Sequence, residues 1–191
     1  MSQDESAKQP ATAEDMPMED MPELVIVSGM SGAGRTEAMH VFEDLGYFCV
    51  DNLPASLIGN LFELGGMAEL PGQPAGECRI AVVCDARNRS FFSGLTDELH
   101  RLDARGIEYR ILFLDASDEK LIARYKSSRR RHPLCEDGTS IEQGIQRERN
   151  LLFGVRELAH DVIDTTAMLP QQLRATIREL FATGQERRGL A

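Results

Sequence analysis

The sequence lacks what several function classes require. No apolar run approaches the ~20 residues of a membrane-crossing helix. The opening stretch MSQDESAKQPATAEDMPMEDMPE is acidic and has no apolar core segment, so it is not a secretory signal. The four cysteines, Cys49, Cys78, Cys84 and Cys135, form no C-x-x-C pair and have no histidine at zinc spacing. They are read as reduced thiols of a cytoplasmic protein rather than a disulfide framework. Spacing shows no Ser-His-Asp or Cys-His arrangement and no internal repeat. Positive charge is also short, with 21 Lys and Arg against 31 Asp and Glu. Broad nonspecific binding to nucleic acid is therefore not expected from charge. Much of the acidity lies in Asp4, Glu5, Glu14, Asp15, Glu19, Asp20 and Glu23, with Lys8 as the one base among them. Together with Pro10, Pro17 and Pro22, these predict a disordered acidic tail over 1–22. One folded domain is expected over 23–185, and a short tail over 186–191.

What is present is an alternation of short apolar runs and helical patterns. ELVIVS (23–28) is a short continuous apolar run, as in a strand buried on both faces, and FCV (48–50), RIAVVCD (79–85), YRILFLD (109–115) and DVIDT (161–165) read as further short strands. Between them lie helical stretches starting at Gly34, Ser90, Ser117 and Ser140, and another closes the domain from Pro170. A further helix is expected after Asp51 or Asn52 as cap, with Pro54 near its first position and Gly65-Gly66 as its stop. The pattern predicts an α/β fold: a mostly parallel five-stranded sheet between two helical layers.

The junction between the first strand and first helix, GMSGAGRT (29–36), carries the strongest chemical signal. It fits the phosphate-loop pattern G-x-x-x-x-G-K-[ST] at Gly29, Gly34 and Thr36, but Arg35 stands where lysine belongs. Gly29, Gly32 and Gly34 permit positive φ, so backbone N–H groups can turn inward around a phosphate. The helix that follows aims its positive end at the same point. Thr36 offers a hydroxyl suited to Mg²⁺. Arginine keeps the charge but is a bulkier planar fork, so binding is expected to survive better than phosphoryl chemistry.

Other residues leave alternatives open. Asp85 ends a strand, where it would hold Mg²⁺ through water or cap the next helix. Arg87 beside it would touch a phosphate or cover surface. Asp51 and Asn52 meet a second ligand or cap a helix. Asp115 and Asp164 also end strands, and four such carboxylates are too many for one metal. RYKSSRRRHPL (124–134) gathers Arg124, Lys126, Arg129, Arg130, Arg131 and His132. The arginines are candidates for a lid over phosphates. The other reading is a solvated basic helix end. His132 is read as structural.

The stretch LVIVSGMSGAGRTEAMHVFEDLGYFCVDNLPASLI resembles the amino-terminal domain of the RapZ family, also known as RNase adapter or YvcJ-type nucleotide-binding proteins. DARN (85–88), RRRHPL (129–134) and VIDTT (162–166) match in order, and EDLGYFCVDNLP (43–54) is the most specific run. The resemblance implies a P-loop domain of nucleoside-kinase type that binds ATP and GTP with modest hydrolysis. Gly29, Met30, Ser31, Gly32, Ala33, Gly34, Arg35 and Thr36 would form the ATP loop. Asp85, Ala86, Arg87 and Asn88 would match a guanine-nucleotide-associated motif. RNA and a ribonuclease would be engaged only through a carboxyl-terminal domain that these 191 residues do not include. The expectation is a regulatory nucleotide-binding module using Mg²⁺, with homo-oligomerisation open and no membrane partner. Its hydrolysis is expected to be weak or lost, because the family usually has lysine at position 35. The alternative is a small-molecule or nucleoside kinase, or an active NTPase.

Overall fold

Five short segments pair into one parallel sheet in a computed structural model of the chain. The structure describes residues 24–67, 79–84, 91–128, 131–135 and 138–181. The expected acidic tail, the 67–78 loop beyond Met67, the motif Asp85–Asn88, Arg129, Arg130 and the 186–191 tail lie outside the described residues.

The strands are β1 (Leu24–Gly29), β2 (Phe48–Leu53), β3 (Ile80–Cys84), β4 (Tyr109–Asp115) and β5 (Asp161–Asp164). Their order across the sheet is β2-β3-β1-β4-β5. Every residue of β1 and β3 is buried, which is why both read as unbroken apolar runs. In register, Val27 lies between Val83 and Leu112, and Gly29 lies beside Leu114. The strand order places β1 at the centre, with its carboxyl end at the edge where open α/β sheets bind ligands.

The helices are α1 (Arg35–Asp44), α2 (Ile58–Met67), α3 (Phe91–Ala104), α4 (Asp118–Ser128), α5 (Ile141–Glu157) and α6 (Pro170–Phe181). Crossovers from β1 to β2 and from β3 to β4 run in opposite directions along the sheet. Right-handed connections therefore put α1 and α3 on opposite faces. α6 joins α1, burying Leu173, Ile177 and Phe181 at four-residue spacing. Phe42 of α1 anchors this layer, its ring meeting Tyr47 and Phe181 edge-on at 5.1 and 5.0 Å. α5 packs against α3 and α4. It opens with a capping box, in which Ser140 Oγ accepts from Gln143 N–H and Gln143 Oε1 accepts from Ser140 N–H, both at 3.2 Å.

Two sequence expectations are corrected here. Asp51 and Asn52 do not cap a helix; they belong to β2, which keeps pairing with β3 as far as Leu53 opposite Cys84. The pairing shifts register between Val50 and Leu53, and Asn52 takes φ 59°, so the chain bulges instead of turning helical. Helix onset waits for Pro54, which precedes a short 3₁₀ turn at Ala55–Leu57. Gly65-Gly66 does not stop α2, which continues to Met67. Two glycines cost roughly 1 kcal/mol each against alanine in a helix, which packing can offset. Among the described residues, no helix is long and apolar enough to cross a membrane.

Candidate phosphate-binding site

The loop that follows β1 satisfies some of its own N–H groups and leaves others open. Met30 N–H donates to Leu114 O and Ala33 N–H to Met30 O, both at 2.9 Å. Ser31 N–H donates to Glu148 Oε2, also at 2.9 Å. No described residue accepts from the N–H groups of Gly32, Gly34, Arg35 and Thr36, which cluster at the start of α1. Donors left open at a helix start make an anion site, because the helix dipole adds positive potential there. The backbone needed for this is left-handed at Gly29 (φ 144°), Gly32 (φ 89°) and Gly34 (φ 111°). At Gly29 a Cβ would also come 2.3 Å from Leu114 O and 2.7 Å from Leu114 N, so β1 and β4 can meet there only through glycine.

Beneath the loop lies a buried polar chain that sequence reading missed. Glu148 of α5 is 5% exposed and His132 is 1% exposed. Ser31 Oγ donates to Glu148 Oε1 at 2.5 Å, and His132 Nε2 lies 3.1 Å from Glu148 Oε2. On the other side, Arg35 Nη2 donates to Ser31 Oγ at 3.2 Å. Burial pushes the Glu148 carboxyl up, but hydrogen bonds from His132 and from Ser31 outweigh it and hold the group below its usual range. The loop is thus fastened from below by a carboxylate. His132 reaches it because α5 carries Gly144 there: a Cβ on Gly144 would stand 2.8 Å from His132 Nδ1 and 2.6 Å from Cys135 Sγ. Tyr125 covers the imidazole at 5.0 Å. A signal was present in the sequence, since Glu148 falls on the stripe Gly144, Ile145, Leu152 and Val155 that α5 buries.

Of the candidate lid arginines, Arg124 and Arg131 are among the described residues. Arg124 sits on α4, where Nη1 donates to Gly32 O at 2.8 Å and to Thr165 Oγ1 at 3.1 Å, and Nη2 donates to Thr165 O at 2.8 Å. Its fork ties the phosphate loop to the segment after β5. Thr165 Oγ1 in turn lies 3.0 Å from Ala33 O. Arg124→Lys cannot reproduce this fork, so a loss of about 1–2 kcal/mol is expected in urea denaturation. A loss below about 0.5 kcal/mol would mean that the contacts contribute little. Arg131 is exposed on the loop beside His132.

The strand-end carboxylates resolve differently. Asp115 accepts from Arg149 Nη1 at 2.9 Å, Arg156 Nε at 3.1 Å and Ala116 N–H at 2.8 Å. Asp164 accepts from Thr166 N–H and Oγ, and these bonds lower its carboxyl below the ordinary value. Both therefore organise turns. Asp51 instead faces a cavity next to Thr36.

Known proteins agree with this architecture. A nucleotide-binding protein of Moorella thermoacetica is 49% identical over 172 residues, which is 90% of this chain and 56% of that protein. One of Symbiobacterium thermophilum is 50% identical over 165 residues, 86% of this chain and 52% of that protein. The chain thus spans about half the length of these relatives. Among solved structures, the tunicamycin resistance protein of Deinococcus radiodurans superposes with a TM-score of 0.52 at 17% identity, over 85% of this chain and 96% of that one. That likeness concerns the fold, a three-layer P-loop architecture. The model of the RapZ-like N-terminal domain matches residues 22–185, and with relatives at this identity the chain belongs to that nucleotide-binding family.

Proposed function

We propose that the domain is a regulatory module that binds ATP or GTP with Mg²⁺ at residues 29–36 and turns it over slowly or not at all. The carrying observation is the cluster of four open N–H groups at Gly32, Gly34, Arg35 and Thr36, with the α1 dipole behind it. Thr36 is exposed at this point, and its hydroxyl would be a protein ligand to Mg²⁺. Among the described residues, no three His, Cys, Asp or Glu side chains converge on a metal position. The ion would be held by Thr36 and by phosphate oxygens, with Asp85 assigned on sequence grounds as a further ligand through water. Such an ion supplies neutralisation of phosphate charge. Asp85, Ala86, Arg87 and Asn88 are assigned to guanine nucleotide on sequence grounds, and Arg124, Arg129, Arg130 and Arg131 to the phosphate lid, Arg124 lining the hollow beside Gly32 and Gly34.

Slow turnover follows from Arg35. Its guanidinium is engaged with Ser31 Oγ, which itself is held by Glu148. An arginine drawn toward the loop floor positions its charge differently from a lysine at the same place, and phosphoryl transfer is sensitive to displacements of about 1 Å. Titration with ATP, GTP and their diphosphates plus Mg²⁺, followed by a phosphate-release assay, tests the reading. Binding with little release is expected. Arg35→Lys is expected to raise release by about tenfold or more while changing affinity little. Brisk release by the natural sequence, unimproved by lysine, would overturn the account of Arg35.

A further inference from the structure

Arg35 and Thr36 stand between two hollows. One runs past Gly32, Gly34 and Arg124 and is the phosphate side. The other, about 320 Å³, opens between α1 and the carboxyl ends of β2 and β3. Its lining includes His40, Glu43, Cys49, Asp51 and Asn52. That volume is at the lower end of small-ligand sites.

The chemistry of this lining narrows the occupant. Its His, Cys, Asp and Glu side chains do not converge as a metal set among the described residues. Cys49 does not offer a thiolate: burial, and then the charge of Glu43, push its thiol up to about 12, and its Sγ contacts Met39 O at 3.7 Å. Glu43 and Asp51 outnumber the one guanidinium on the lining, Arg35, whose Nη2 is engaged with Ser31 Oγ, so the wall disfavours an anion, and a triphosphate on the far side of Thr36 would disfavour it further. Carboxylate, amide, imidazole, hydroxyl and guanidinium groups around a small hollow, acceptors and donors together, instead match a body rich in hydroxyls. The backbone is shaped to present them. Asn52 holds φ 59°, a conformation that costs a non-glycine residue on the order of 1 kcal/mol, at the β2 bulge that brings Asp51 and Asn52 into the cavity wall.

We propose that this cavity is a subsite for a small uncharged polyhydroxylated molecule, a sugar or polyol. Asp51 and Asn52 accept its hydroxyl hydrogens, and it lies beside the phosphate site across Thr36. The placement, and the added repulsion of an anion by a triphosphate, rest on the nucleotide reading; recognition of hydroxyls by Asp51 and Asn52 does not.

Saturation-transfer NMR on the full chain tests it, with D-ribose, D-glucose, myo-inositol and glycerol as probes and ethanolamine as the amine control. Each is measured alone and with ATP and Mg²⁺. At least one polyol should give signal without nucleotide. Asp51→Ala should weaken it by about tenfold or more, since a charged acceptor is lost. Asn52→Gly should weaken it a few-fold with the fold intact, because glycine relaxes at that φ. Polyol binding without any ATP binding would support the subsite and sink the nucleotide reading. ATP binding with no polyol signal would do the reverse. Signal from ethanolamine alone, or polyol signal unchanged in Asp51→Ala, would also overturn the proposal.

Discussion

Glu148→Ala should cost the domain about 3–5 kcal/mol, the range for removing one partner from a buried charged network. The substitution would strand Ser31 N–H, Ser31 Oγ and His132 Nε2, all of which meet the carboxylate within 3.1 Å. For a domain of this length that corresponds to a fall in Tm of roughly 10 °C. Nucleotide affinity should drop too, because Ser31 lies inside the phosphate loop and Arg35 leans on its hydroxyl. Combining Glu148→Ala with His132→Ala should be non-additive by about 1–3 kcal/mol, since each leaves the other without its partner. Additive losses would show that the two side chains act separately.

The same carboxylate gives a pH dependence of known sign. Its carboxyl is lowered on folding from an ordinary value of 4.5, burial being outweighed by the His132 and Ser31 hydrogen bonds. A lowered carboxyl contributes stability that is complete above its unfolded value and is lost as pH falls through its folded value. Stability should therefore decline on acidification below about 4.5, and the decline should be shallower in Glu148→Gln. Denaturant midpoints measured across that range for both proteins decide it; parallel declines would contradict the assignment.

Gly29→Ala is expected to be of similar severity, about 3 kcal/mol or more, for a different reason. The added methyl would meet main-chain atoms of Leu114, which cannot rotate away, at a φ of 144° that disfavours any side chain. The strand pair must open where the loop begins, so nucleotide binding should fall with stability. Gly32→Ala is the contrasting case. Its Cβ would find Tyr125 and Leu121 atoms at 3.6 and 3.7 Å, so only the strain of φ 89°, about 1–2 kcal/mol, remains. Equal losses at the two glycines would show that close strand approach is not what Gly29 provides.

The inner strands were legible because burial on both faces leaves an uninterrupted apolar run, as in Leu24–Val27 and Ile111–Leu114. Helix starts were legible where a side chain caps them, as at Ser140. Asp51-Asn52-Leu53-Pro54 misled because acid, amide and proline also make a good helix entrance. The bulge that keeps Asp51 and Asn52 in β2 depends on pairing with β3, a strand far away in sequence. The glycine turn at 29–36 and the helix start behind it could be read locally, since glycines, helix start and hydroxyl are contiguous. Its fastening could not: Ser31 and Glu148 are 117 positions apart. The acid was hidden in α5 as one more charged residue until its place on the buried stripe was known. Arg124 was grouped with its basic neighbours by composition, and only the fold shows its fork directed at Gly32 and Thr165.

In the proposed site, the main-chain amides of Gly32, Gly34, Arg35 and Thr36 hold the phosphates. Amide ¹H–¹⁵N spectra recorded while ATP and Mg²⁺ are added address it residue by residue. The largest shifts should appear at Gly32, Gly34, Arg35 and Thr36. Met30 and Ala33, already bonded to Leu114 O and Met30 O, should move little. Saturating nucleotide that leaves those four amides in place, or that moves Met30 and Ala33 as far, would contradict the account.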